Sequence, residues 1–103
     1  MNTVIYTRVS TSVQDYQRQI DELQQFASSH GWNVLQVFSE KVSGAKKNEE
    51  RQELQSLMSY ISTHNVEKVL VWELSRLGRN TLEVLKTIEE FNTLGISLFI
   101  KNY

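Results

Sequence analysis

Tyr6, Arg8 and Ser10 occupy alternating positions in the run Tyr6-Thr7-Arg8-Val9-Ser10. That spacing brings side chains to one side of a β-strand, so two hydroxyls and a guanidinium would converge where the strand ends. An arginine among apolar neighbours is costly without an anionic partner, which makes Arg8 the most informative residue of the first ten. Two readings stay open on these residues alone. One is an edge strand with a solvated Arg8 and with Ser10 merely starting a helix, since serine is a common N-cap. The other is a hydroxyl held beside a cation for work on an anion.

A second group lies at Ser75-Arg76-Leu77-Gly78-Arg79-Asn80-Thr81. Two arginines there bracket a short turn into a helix. Unpaired N–H groups, the helix dipole and the planar guanidinium forks all favour a phosphate or carboxylate at such a place. The bland alternative is a pair of surface arginines that lay their stems over the core and keep their heads in water. If the strands preceding the two groups are neighbours, Ser10 meets Arg8, Arg76 and Arg79 at one end of a sheet. No histidine or lysine lies near Ser10 in sequence, and His30 and His64 fall in the last turns of helices, where imidazole complements the dipole. A hydroxyl ringed by guanidinium groups and lacking a base suits attack on a phosphodiester, because the cations lower its pKa and stabilise a five-coordinate transition state.

The elements that must position these residues follow from patterning. Short β-branched or aromatic runs predict strands at Thr3 to Val9, Trp32 to Phe38, Val66 to Trp72 and Ile96 to Ile100. Between them, a helix is predicted from about Ser12 to His30, with Ser12 and Asp15 as a capping start, Ile20, Leu23, Phe26 and Ala27 inward, and Gly31 as the stop. A second runs from about Glu49 to His64 and buries Leu54, Leu57, Met58 and Ile61. A third starts after Asn80 or Thr81, buries Leu82, Leu85, Ile88, Phe91 and Leu94, and stops at Gly95. Alternating strands and helices predict a doubly wound α/β domain of three layers. It has a mainly parallel sheet of about four strands in flavodoxin-like order and helices on both faces. Functional groups in such sheets collect at the carboxyl ends of the strands, here after Val9, Phe38 and Trp72. Ser39 to Asn48, with Ser43-Gly44 and Lys46-Lys47, is expected as a long irregular loop.

Composition narrows the chemistry. With 103 residues there is room for one core. Cysteine is absent and the two histidines are far apart, which excludes disulfides and thiolate nucleophiles and argues against a metal set. No apolar run reaches the roughly 20 residues of a spanning helix, and no signal peptide is evident, so a cytoplasmic location is expected, with no membrane partner. The net charge of −1 counts against strong bulk affinity for nucleic acid, so any basic residues that matter are few and placed.

In this order and spacing, Tyr6-Thr7-Arg8-Val9-Ser10-Thr11, Gln14 and Gln19, Ser43-Gly44 with Arg51 and Leu54, and Ser75-Arg76-Leu77-Gly78-Arg79-Asn80 resemble the catalytic domain of serine site-specific DNA recombinases, the resolvase and invertase family. The likeness covers the whole chain. It implies that Ser10 attacks the scissile phosphate, forming a 5′-phosphoserine bond and freeing a 3′ hydroxyl, with no cofactor and no metal. It implies that Arg8, Arg76 and Arg79 bind and polarise the phosphate, that Tyr6 and Gln19 support the site, and that Gln14 and Arg51 lie near the substrate. Glu40 matches an acidic position after the second strand where aspartate is more usual. Gly44 to Arg51 is slightly longer than in the resolvases, and Ser75 stands where an acidic residue is common. The resemblance further implies that residues 1–103 stop short of a long dimerisation helix and a DNA-binding domain. This stretch would then hold DNA weakly, while the full-length protein forms homodimers and tetramers. A phosphate-binding module on a flavodoxin-like sheet would use the same arginines but leave Ser10 without a role. A receiver domain would need an acidic cluster after the first strand, and a triad hydrolase a placed histidine.

Overall fold

In the computed structural model the described residues are 1–9, 13–41, 52–72, 77 and 80–101, with backbone alone described at 8–9, 13–16, 40–41 and 52–53. The order of elements is β1 (Asn2–Val9), α1 (Val13–Ser29), β2 (Asn33–Lys41), α2 (Gln52–Thr63), β3 (Lys68–Val71), α3 (Thr81–Thr93) and β4 (Ser97–Ile100). The four strands form one sheet in the order β2-β1-β3-β4. Every pairing is parallel. This is the doubly wound order expected, with β1 and β3 side by side at the centre.

The two central strands are apolar without alternation because both of their faces are covered. Val4, Ile5 and Tyr6 of β1 and Val69, Leu70 and Val71 of β3 are all fully buried. On one face Ile5, Leu70 and Trp72 pack under Leu23 and Ala27 of α1. On the other, Val4, Tyr6, Val69 and Val71 pack under Leu54, Leu57 and Ile61 of α2 and Phe91 of α3. The edge strands carry the half-buried residues Leu35, Val37, Leu98 and Phe99.

Two helices end at glycine for a backbone reason. After α1 the Gly31 N–H donates to the Ser28 carbonyl at 3.0 Å and Trp32 N–H to the Ala27 carbonyl at 2.9 Å, with Gly31 at φ +72°. After α3 the same pair of bonds recurs, Gly95 N–H to Asn92 at 3.1 Å and Ile96 N–H to Phe91 at 2.9 Å, with Gly95 at φ +73°. This is the left-handed stop that glycine adopts without the penalty of a Cβ.

Three expectations need correction. First, β2 runs through Ser39, Glu40 and Lys41, which pair with Thr7, Arg8 and Val9 of β1. Their polarity hid a stretch of strand that the backbone ladder supports. Second, Trp32, Val66, Trp72 and Ile96 flank strands and do not belong to them. Val66, Trp72 and Ile96 are nevertheless buried, so apolarity there reports burial and not extension. Third, α3 turns a different face inward. Leu82, Leu85 and Leu94 are 66%, 56% and 46% exposed, while Thr87 and Phe91 are buried and Val84 and Ile88 pack against the core. The five predicted residues recur at every third position, a spacing that walks around a helix by about 60° a step, so that only Ile88 and Phe91 face the core as expected. Val84, Thr87, Ile88 and Phe91 keep the mixed spacing of three and four that holds one face. Ser12, in the expected cap of α1, and residues 42–51, the rest of the expected loop, lie outside the described residues.

Candidate active site

Parallel pairing sets the levels at the carboxyl ends of β1, β2 and β3. Tyr6 is in register with Phe38 on one side and Val71 on the other. Two residues on, Arg8 is in register with Glu40, the last pair but one of the ladder. The acidic position expected after the second strand is thus within it, level with Arg8. Ser10, Arg51, Arg76 and Arg79 lie outside the described residues, as do the side chains of Arg8, Gln14 and Glu40; Gln14 falls in the first turn of α1.

Tyr6 is fully buried in the cluster beneath α2 and α3. Gln19 is buried on α1, four residues before Leu23, on the stripe that packs over Ile5. The two residues expected to support one site therefore approach it from opposite faces of the sheet. Thr7 alternates with Tyr6 and turns toward α1. By the rise of helix and strand, one turn up α1 and two residues up β1, Gln19 and Thr7 come level, each about 6 Å beyond the Leu23 and Ile5 packing. Both carry a buried oxygen, Gln19 Oε1 and Thr7 Oγ1, with no hydrogen-bond partner among the described residues. Such atoms cost about 1–3 kcal/mol each when unpaired, a cost that marks a place where function or a further donor is involved.

The turn into α3 is anchored at two points. Asn80, at φ −143° and ψ 175°, caps the helix by accepting the Glu83 N–H at 3.0 Å. Leu77 is fully buried, and its carbonyl accepts the Thr87 hydroxyl at 3.1 Å. The same hydroxyl lies 3.0 Å from the Glu83 carbonyl. Thr87 was missed in the sequence; a hydroxyl residue between Val84, Ile88 and Phe91 on the inward stripe was the signal. Two cations also escaped notice. The Arg18 guanidinium stands 5.7 Å from the centre of the Trp72 ring and the Lys101 ammonium 5.1 Å from it, which adds positive charge just beyond β3.

The histidines stand as expected. Nδ1 of His30 is 2.9 Å from the Phe26 carbonyl and that of His64 3.0 Å from the Tyr60 carbonyl, each histidine one residue past the end of its helix. Both rings thus face carbonyls at a helix end that also accept a neighbouring hydroxyl, from Ser29 at Phe26 and from Thr63 at Tyr60.

Solved structures define the class. The chain superposes on the C-terminal catalytic domain of ISC1926 TnpA, an IS607-like serine recombinase, with a TM-score of 0.85 and 32% identity over 99% of this chain and 71% of that one. It matches the N-terminal catalytic domain of TP901-1 integrase at a TM-score of 0.81 and 33% identity, over 95% of this chain and 75% of that one. The family model for the resolvase N-terminal domain matches residues 3–103, and the chain belongs to that family. Among curated relatives, the transposon Tn552 DNA-invertase BinR of Staphylococcus aureus is 33% identical over 92 residues, 89% of this chain and 43% of that protein. The chain spans about half the length of the curated relatives it matches. Among the described residues no helix is long and apolar enough to cross a membrane.

Proposed function

We propose that residues 1–103 form the catalytic domain of a site-specific recombinase that cuts and rejoins DNA through Ser10. The observation that carries the reading is the family match over residues 3–103, supported by central, adjacent, parallel β1 and β3, whose carboxyl ends lead to Ser10 and to the arginine turn. In this reading the Ser10 Oγ attacks phosphorus, the bond to the 3′ oxygen breaks, and the chain holds a 5′-phosphoserine while the 3′ oxygen takes up a proton. Strand exchange and the reverse attack restore the duplex.

Arg8, Arg76 and Arg79 carry the phosphate's developing charge, work for which guanidinium forks are suited. Glu40, in register with Arg8, orients that guanidinium. Tyr6 backs Arg8 from the α2–α3 side, and the unpartnered Gln19 Oε1 accepts a hydrogen bond from the site on the α1 side. Gln14 and Arg51 contact the substrate. DNA is the partner, held weakly by this domain and assisted by Arg18 and Lys101. The full-length protein works as homodimers and tetramers, which bring two and four sites to the DNA, in the cytoplasm and away from membranes.

Ser10→Ala in the full-length protein should abolish covalent attachment to cut DNA. Arg8→Ala should slow the chemical step on the order of a hundredfold. Persistent attachment in Ser10→Ala defeats the assignment.

A further inference from the structure

We propose that Thr87 is a positioning residue for the arginine turn, holding through the Leu77 carbonyl the segment from which Arg76 and Arg79 act. The inference rests on the function proposed above. Thr87 is 6% exposed, and its hydroxyl reaches ten residues back along the chain to the Leu77 carbonyl at 3.1 Å. A helical threonine ordinarily donates to the carbonyl four residues earlier, and Thr87 has that option at 3.0 Å in Glu83. The Glu83 carbonyl belongs to α3 itself. The Leu77 carbonyl belongs to the turn, so this second acceptor ties the turn to the helix.

Covalent geometry carries the effect to the arginines. Arg76 and Arg79 are the chain neighbours of Leu77 and Asn80, so what fixes those two residues bears on both arginines. Leu77 is held by its buried side chain and by Thr87, and Asn80 by the bond from the Glu83 N–H. Both anchors draw on α3, one in its first turn and one in its second. A hydrophobic residue of the same shape at 87 would fill the space and drop the tie. Misplacement of a catalytic group by about 1 Å can cost on the order of a hundredfold in rate without weakening ground-state binding. The signature is therefore a loss of rate at saturation and not of affinity.

The test is single-turnover formation of the serine-linked adduct by the full-length protein on fragmented genomic DNA of its source organism, with affinity for the same fragments measured alongside. Thr87→Val should slow adduct formation at least about tenfold at saturating protein, with affinity changed less than about twofold. Thr87→Ser, which restores the hydroxyl, should recover the rate to within about threefold. Ile88→Val, on the same stripe, should lower the melting temperature and leave the rate alone. If Thr87→Val does not fold, Thr87→Ala removes the same hydroxyl in a residue that favours helix. A wild-type rate in Thr87→Val or Thr87→Ala, a failure of Thr87→Ser to recover, or an equal loss in Ile88→Val overturns the proposal while leaving the function intact. No adduct from the wild-type protein refutes both.

Discussion

The orientation of α3 can be tested by two substitutions with opposite expected outcomes. Phe91 is 1% exposed and lies in the core cluster that contains Tyr6, Val69, Val71 and Leu77. Phe91→Ala should cost about 3–5 kcal/mol through lost burial and the cavity left behind. A chain of 103 residues has about 5–15 kcal/mol of total stability, so the loss is a large share of it. With a urea dependence of about 1–3 kcal/mol per molar, the unfolding midpoint should fall by about 2 M, with the slope unchanged. Leu85, only two turns away, is 56% exposed, and Leu85→Gln should stay within about 0.5 kcal/mol of the parent. Urea titrations followed by circular dichroism measure both. A loss at Leu85 matching that at Phe91 would refute the inward face assigned to α3, and with it the route by which Thr87 reaches Leu77.

Two further outcomes follow from local geometry. Gly31→Ala and Gly95→Ala should each cost about 1–2 kcal/mol by thermal unfolding, because a Cβ at either meets nothing within 4 Å and the whole penalty is the left-handed backbone; no loss at either would contradict the two helix stops. Thr7→Val removes a buried hydroxyl that has no partner among the described residues and should be neutral or stabilising by about 1 kcal/mol in the same assay. A loss above about 1 kcal/mol would mean that Thr7 bonds a group of the site.

The fold was legible in the sequence because both kinds of signal were strong. The unbroken apolar cores of β1 and β3 come from burial on two faces, and Gly31 and Gly95 come from helix stops, so composition and geometry pointed the same way. The face of α3 was misread because leucine is apolar wherever it stands, whereas a threonine can be buried if its hydroxyl is bonded. The end of β2 was missed because ladder bonds to Thr7, Arg8 and Val9 do not depend on side-chain polarity. At the candidate site, the adjacency of β1 and β3 could be anticipated from topology. The separation of Tyr6 from Gln19 by the sheet could not, since it depends on which face α1 covers. Thr87 shows in the sequence only as a hydroxyl residue on the inward stripe of α3, and its acceptor, a main-chain carbonyl ten residues back, leaves no pattern in side-chain types.

The most direct measurement is the identity of the residue esterified to DNA. Adduct formed by the full-length protein, digested with protease and nuclease and sequenced by mass spectrometry, should carry a nucleotide 5′-phosphate on Ser10 and leave a 3′ hydroxyl on the other strand end. A phosphate on Tyr6 or on any residue other than Ser10, or cleavage that leaves a 3′-phosphate linkage, would contradict the account.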